Sequence, residues 1–220
     1  MSLVRVHNFT VSLDGFGTGE GQSLDTPFGH AGSRLMGWAF PTRTFRRMGL
    51  HGDGAGSVGV DEAFASRWAD GIGVEIMGRN KFEPVEGAPS DEEWRGWWGE
   101  NPPFHTPVLV LTHRPRPPLE MEGGTTFYFV DAEPAEALAQ ARDLAGDLDV
   151  RLGGGATTIR QFLAADLVDE MHVVVAPVVL GRGERLWDGL EGLEERFDIE
   201  ATPSPSGVVH LSFVRRSTSD

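Results

Sequence analysis

The chain has 220 residues and no cysteine, with 40% hydrophobic and 24% charged residues. That length and mix suit one globular α/β domain with a sizeable core, and they exclude disulfides, thiolate metal sites and a cysteine nucleophile. The formal net charge of −14 makes nucleic acid and anionic lipid poor partners, since both are polyanions.

Met1 to Val6 lack the long apolar core of a secretion signal, and no apolar run approaches the roughly 20 residues that span a bilayer. A cytoplasmic protein without a membrane or nucleic-acid partner is therefore expected. Residues 4–12 alternate apolar and polar side chains as a half-buried strand does, and end at the turn signal Leu13-Asp14-Gly15-Phe16. Residues 15–59 hold twelve glycines and little periodicity. Long loops of this kind tend to be binding loops or lids, with disorder at a loop tip as the competing reading. Within them, residues 34–48 offer Leu35, Trp38, Ala39, Phe45 and Met48 for a helix, interrupted by Pro41.

Residues 60–69 read as a helix, because Val60, Phe64 and Trp68 recur every fourth position. Residues 72–77 read as a buried strand. Ser90 and Glu93 make a helix-capping pattern at the start of residues 90–98, where Trp94, Trp97 and Trp98 pack or line a cleft. Residues 108–112 and 125–130 are further strands. The clearest helix is 134–146, with Pro134 in its first turn and Leu138, Ala141 and Ala145 on one face. Residues 150–152 run as a strand into Gly153-Gly154-Gly155, and 158–165 form a helix with Ile159, Phe162 and Leu163 inward. Residues 169–175 are a strand ended by Pro177. Residues 197–201 and 208–215 form a closing hairpin across Pro203, Pro205 and Gly207. Strands alternating with helices predict a mostly parallel sheet covered on both faces, with an antiparallel edge. No linker or repeat divides the chain, so residues 1–220 are read as a single domain.

Three motifs carry chemistry. Gly153-Gly154-Gly155-Ala156-Thr157 follows a strand and opens a helix. Glycine allows a sharp turn and close approach of a ligand, and the helix start presents free N–H groups to an anion. A tight turn packing helix on sheet is the alternative. The run lacks the Lys-Ser/Thr of a Walker motif and is not the dinucleotide fingerprint. Met77-Gly78-Arg79-Asn80 ends a second strand and Thr112-His113-Arg114 a third. Ligands of open α/β sheets lie beyond the carboxyl ends of the strands, so Arg79, Arg114 and two sets of backbone amides can meet one polyphosphate there. Scattered histidines argue against a metal site, and the absence of a G-x-S-x-G elbow argues against a serine hydrolase.

Ser12-Leu13-Asp14-Gly15, Met77 to Phe82 and Leu111 to Arg114 are the shorter points of likeness to a known family. The longer one runs from Gly153 through Leu167-Val168-Asp169-Glu170 to Pro177-Val178-Val179-Leu180-Gly181-Arg182-Gly183. Together they resemble the dihydrofolate reductase-like superfamily, in particular the reductase (C-terminal) domain of the bifunctional riboflavin-biosynthesis protein and its stand-alone relatives. The likeness spans residues 3–215. It implies a three-layer α/β/α fold, NADPH as cofactor and a homodimer. It places Gly78, Arg79 and Asn80 on one side of the cofactor phosphates, and Gly153, Gly154, Gly155, Ala156 and Thr157 on the other. Thr112 and Arg114 would hold the 2′-phosphate, and backbone from Val11 to Leu13 would flank the nicotinamide. Asp14 would face the substrate, as a proton donor, a binding residue or a turn residue, with Pro177, Leu180 and Gly181 bordering the pocket. His30, Trp38 and His51 could enter it, although surface or core roles suit each.

The resemblance implies an NADPH-dependent reductase of a small heterocyclic or ribosylated substrate, akin to 5-amino-6-(5-phosphoribosylamino)uracil reductase or dihydrofolate reductase. A non-catalytic nucleotide- or flavin-binding homodimer of the same fold is the alternative. Residues 34–48 contain no Asp or Glu, so the acidic residue with which dihydrofolate reductases hold the pterin has no counterpart there, and folate reduction is not expected.

Overall fold

The computed structural model describes residues 2–49, 54–87, 90 and 93–217. In chain order, β1 (Val4–Ser12) and β2 (Phe16–Thr18) are followed by a 3-10 stretch, Gly29–Met36, and two short helices, α1 (Arg43–Arg47) and α2 (Val60–Ala65). Then come β3 (Ile72–Gly78), α3 (Arg79–Phe82), β4 (Pro107–Leu111), β5 (Leu119–Glu120) and β6 (Thr126–Val130). The rest is α4 (Pro134–Ala145), β7 (Asp149–Gly154), α5 (Ala156–Ala164), β8 (Glu170–Ala176), β9 (Glu184–Arg185), β10 (Phe197–Pro203) and β11 (Val209–Arg215).

Nine strands form one sheet in the order β10-β11-β8-β1-β7-β3-β4-β6-β5. The six strands from β8 to β6 pair in parallel, while β11 joins β8, and β10 joins β11, antiparallel. Alternation along the central strands sorts the side chains. Val4, Val6, Val74, Ile76, Val150 and Leu152 are fully buried in one cluster with Ala137, Leu138 and Ala141 of α4 and Ile159, Phe162 and Leu163 of α5. Each such side chain contributes about 1.5–3 kcal/mol through removal of apolar surface from water. The other face carries an aromatic cluster of Phe82, Phe104, Phe127 and Phe129, and a second cluster around Leu35, Trp38 and Ala65. Helical layers on both faces of a largely parallel sheet make the expected three-layer α/β/α fold.

Several expectations need correction. Residues 34–48 do not form one helix. The 3-10 stretch stops at Met36, and α1 begins only after Pro41, capped by Thr42 Oγ1, which accepts from Phe45 N. Residues 60–69 divide into α2 and a 3-10 turn, Ser66–Ala69. Residues 93–99 form turns rather than a helix, although Ser90 Oγ does bond Glu93 Oε2 at 3.0 Å. The β2–β9 ribbon and β5 are too short to show a sequence period. Among the described residues no helix is long and apolar enough to cross a membrane.

Candidate functional site

A cleft of about 1510 Å³ opens along the carboxyl ends of β3, β4 and β7 and runs beneath residues 17–48. The glycine turn forms one wall. β7 ends at Gly154, and α5 begins at Ala156 with Gly155 as its N-cap and no side-chain cap. Among the described residues, the first amides of α5 therefore have no side chain to accept from them at the cap. Each glycine has its own reason. An added Cβ at Gly153 would strike the Glu75 carboxylate, and Gly154 has φ +116° with the Phe9 ring 3.3 Å from a Cβ position. Gly155 is different: its φ is −67°, and a Cβ there would meet nothing within 4 Å. Its φ and its surroundings leave room for a side chain, so what its small size preserves is open space at a helix start.

Beneath the turn, Lys81 Nζ donates to the carbonyl of Gly153 at 2.7 Å and to Glu75 Oε1 at 3.0 Å. Arg151 Nη1 reaches the other Glu75 oxygen at 2.9 Å, and its Cζ lies 4.9 Å from the Trp68 ring centre. Burial lowers the Lys81 ammonium below its ordinary value, opposed by the Glu75 charge. Burial also lowers the His7 imidazole to about 4, helped by Arg151, so His7 is neutral at pH 7.

The β3–β4 side of the cleft is cationic. Arg79 Nε and Arg114 Nη2 both donate to Oε1 of the buried Glu83, Arg114 at 3.1 Å. Arg114 N donates to Thr112 Oγ1 at 3.1 Å, and Arg116 lies 4.0 Å over the Phe129 ring. These residues line one small hollow at the cleft's edge. Three guanidinium groups against one carboxylate leave a local charge of +2 in a chain whose net charge is −14. Glu83 fixes the two forks side by side, and Arg79 and Arg114 keep 36% and 55% of their side-chain surface exposed.

The family model for the RibD C-terminal domain matches residues 5–209. The chain belongs to that family. RibD C-terminal domains share their fold with dihydrofolate reductases, and solved structures agree. A Shewanella sp. PV-4 protein assigned to riboflavin biosynthesis has 20% identity and TM-score 0.59, over 99% of this chain and 100% of that one. The deaminase/5-amino-6-(5-phosphoribosylamino)uracil reductase of Thermotoga maritima has 13% identity and TM-score 0.53, over 98% of this chain and 57% of that one. Dihydrofolate reductase from Enterococcus faecalis, complexed with NADP(H), has 12% identity and TM-score 0.51, over 98% and 97%. No curated protein matches the chain.

Within this RibD C-terminal domain, Gly78, Arg79, Asn80, Thr112, Arg114, Gly153, Gly154, Gly155, Ala156 and Thr157 all line the one cleft. Val11, Leu13, Asp14, Pro177, Leu180 and Gly181 do not. Val11 is buried in the core, and Leu13 points outward, its N–H bonded to the Val178 carbonyl at 2.8 Å. Asp14 is tied down. Its Oδ1 accepts from Ser12 Oγ at 2.6 Å and Leu180 N at 3.0 Å, and its Oδ2 from Gly181 N at 2.7 Å. The Ser12 hydroxyl and these two amides hold its carboxyl at about 2, well below the usual carboxylate range. Such a group is ionised at pH 7 and suits anchoring the 177–181 loop, not proton donation.

Trp38 is in the core, with Nε1 donating to Thr10 Oγ1 at 2.8 Å. His30 joins two loops, its Nδ1 accepting from Glu20 N at 3.0 Å and its Nε2 3.2 Å from the Leu180 carbonyl. His51 lies outside the described residues. Trp97 and Trp98 line the cleft, whereas Trp94 packs on the aromatic cluster. Glu83, Lys81 and Glu184 were missed. Glu83 stands four residues after Arg79, a helical ion-pair spacing that could have flagged it. Glu184 Oε2 accepts from Thr157 Oγ1 at 2.9 Å, which sets a carboxylate at the start of α5.

Proposed function

We propose that this chain is an NADPH-dependent reductase acting on a small heterocyclic or ribosylated compound. Gly155 carries this reading: open space at an uncapped helix start, in the same cleft as a paired-arginine site. A bare helix start suits a pyrophosphate, and Arg79 and Arg114 suit a second, separate phosphate. A dinucleotide bearing a 2′-phosphate presents both anions on one molecule. NADPH, when bound, supplies the hydride. The chain then holds the pyrophosphate with the amides of Gly155, Ala156 and Thr157, and the 2′-phosphate with Thr112, Arg79 and Arg114. Glycines at 78, 153 and 154 let the strand ends pack against Thr158, Glu75 and Phe9 around the site. Asp14 anchors the loop of Leu180 and Gly181 beside the site.

On this reading residues 1–220 act as one reductase unit in the cytoplasm, paired as a homodimer, and the substrate belongs to the chemistry of riboflavin precursors. The test is a tryptophan-fluorescence titration with NADPH, followed by a panel containing pterins and ribosylaminopyrimidines. The reading requires saturable NADPH binding and loss of nicotinamide absorbance with one class of substrate. Binding without turnover on any member would favour a nucleotide-binding protein that has lost the chemistry.

A further inference from the structure

Behind the cleft lies a chain of polar side chains that cofactor binding does not use. Asn8 sits at a bulge in β1, with φ +58°, and lines the cleft. Its Oδ1 is 2.9 Å from His172 Nδ1, His172 Nε2 is 2.9 Å from His210 Nδ1, and His210 Nε2 is 2.9 Å from Asp61 Oδ1. Both imidazoles are buried, at 7% and 0% exposure, and Phe64 stacks on them at 4.5 and 4.3 Å with Trp38 edge-on. The Asp61 end approaches solvent, at 16% side-chain exposure, and the Asn8 end meets the cleft.

The hydrogen atoms can fill this chain in two ways. Asn8 Nδ2 donates to the Ala65 carbonyl at 3.2 Å, which turns Oδ1 toward His172. In one arrangement His172 Nδ1–H donates to Asn8 Oδ1, His210 Nδ1–H donates to His172 Nε2, and a further proton lies between His210 Nε2 and Asp61. In the other, the backbone N–H of Asn8, 3.3 Å away, donates to His172 Nδ1. His172 Nε2–H then donates to His210 Nδ1, and His210 Nε2–H to the Asp61 carboxylate. The second arrangement holds one proton fewer. It also sets a lone pair on Nδ1 against Asn8 Oδ1 at 2.9 Å, a contact that loosens the carboxamide without inverting it, since inversion would set Oδ1 against the Ala65 carbonyl.

We propose that Asp61, His210 and His172 are positioning residues that set, by holding or releasing one proton, whether Asn8 Oδ1 is engaged by His172 or left free at the cleft wall. With the proton held, Oδ1 is engaged and a carboxamide N–H is left for a ligand acceptor such as a ring carbonyl. With it released, Oδ1 is free to accept from a ring N–H. The charged and titratable groups facing the pair are Asp61, Arg67 and His7, while Arg5 and Glu170, farther along β1 and β8, neutralise each other at 3.2 Å. Burial, with His210, His7 and Arg67 nearby, lowers His172 to about 3, so His172 carries a single proton in both arrangements. The ligand preference rests on the reading of the cleft as a heterocycle site, but the proton arrangement does not.

Long-range proton–nitrogen spectra of the ligand-free, ¹⁵N-labelled full chain test this between about pH 5 and about pH 8, the range over which histidines change charge. The expected result is a His172 Nδ1–H tautomer at the acid end and Nε2–H at the alkaline end. Asp61→Asn removes the counter-charge for the extra proton, so His172 should stay Nε2–H throughout. Asn8→Ala removes the Nδ1–H acceptor with less effect on folding and should give the same locked tautomer. A wild-type tautomer that never changes, or switching that survives in Asn8→Ala, overturns the proposal. NADPH titration of the same samples bears on the reductase reading alone, since loss of cofactor binding leaves the tautomer result standing.

Discussion

Replacing Arg114 with alanine separates the two halves of the cofactor reading. Two unit charges 4 Å apart interact by about 4 kcal/mol at an effective dielectric of about 20. Arg114 is 55% exposed and already shares Glu83 with Arg79, so screening and competition reduce that value. A charge-assisted hydrogen bond of about 1.5–3 kcal/mol is the scale that remains, which is about tenfold to hundredfold in affinity. Arg114→Ala should therefore weaken NADPH by that factor and leave NADH, which lacks the 2′-phosphate, within about twofold. Titrations of both nucleotides against wild type and variant read the difference directly. Equal losses for the two would refute the 2′-phosphate role, and a melting temperature measured alongside guards against a folding defect from Glu83 left with one cation.

Gly155→Val places a branched side chain in open space on extended backbone, so stability should change by less than about 1 kcal/mol while NADPH binding is abolished. Retained binding counts against the phosphate cradle. Glu184→Gln removes a negative charge from the start of α5, and NADPH affinity should rise about twofold to fivefold, the scale of an exposed charge pair; a fall would show that Glu184 assists binding. Asp14 has a depressed folded value, from 3.8 to about 2, so its contribution to stability is full above pH 3.8 and is lost as pH falls toward 2. Between those values wild type should lose more stability than Asp14→Asn in acid melts, and parallel curves contradict the anchoring of Leu180 and Gly181. At neutral pH the same variant should retain NADPH affinity.

The central strands were legible because they are buried on both sides: Val74 and Ile76 against α4, and Glu75 tied to Arg151 and Lys81 on the other face. Pro134 and Gly146 marked the two ends of α4, and the glycine turn the start of α5, for the same local reasons that end them in the structure. The β2–β9 ribbon was invisible because two- and three-residue strands have no period, and it owes its place to the loops around it. The grouping of these motifs in one cleft was readable for a related reason, since Gly78-Arg79, Thr112-Arg114 and the glycine turn each follow a strand and so share one edge. Asp14 misled because an Asp-Gly turn looks the same in sequence whether its carboxylate faces a ligand or, as here, two backbone amides 166 and 167 residues away. The His172–His210–Asp61 chain had no sequence signature at all, because register across three separate elements brings its members together.

Fluorescence titration of the full chain with NADPH tests the central claim most directly, because Trp68, Trp97 and Trp98 line the cleft and would respond to a ligand bound there. The account predicts saturable quenching with energy transfer to the reduced nicotinamide, weaker for NADH and absent in Gly155→Val. No saturable signal with wild type, or an equal one in Gly155→Val, would contradict it.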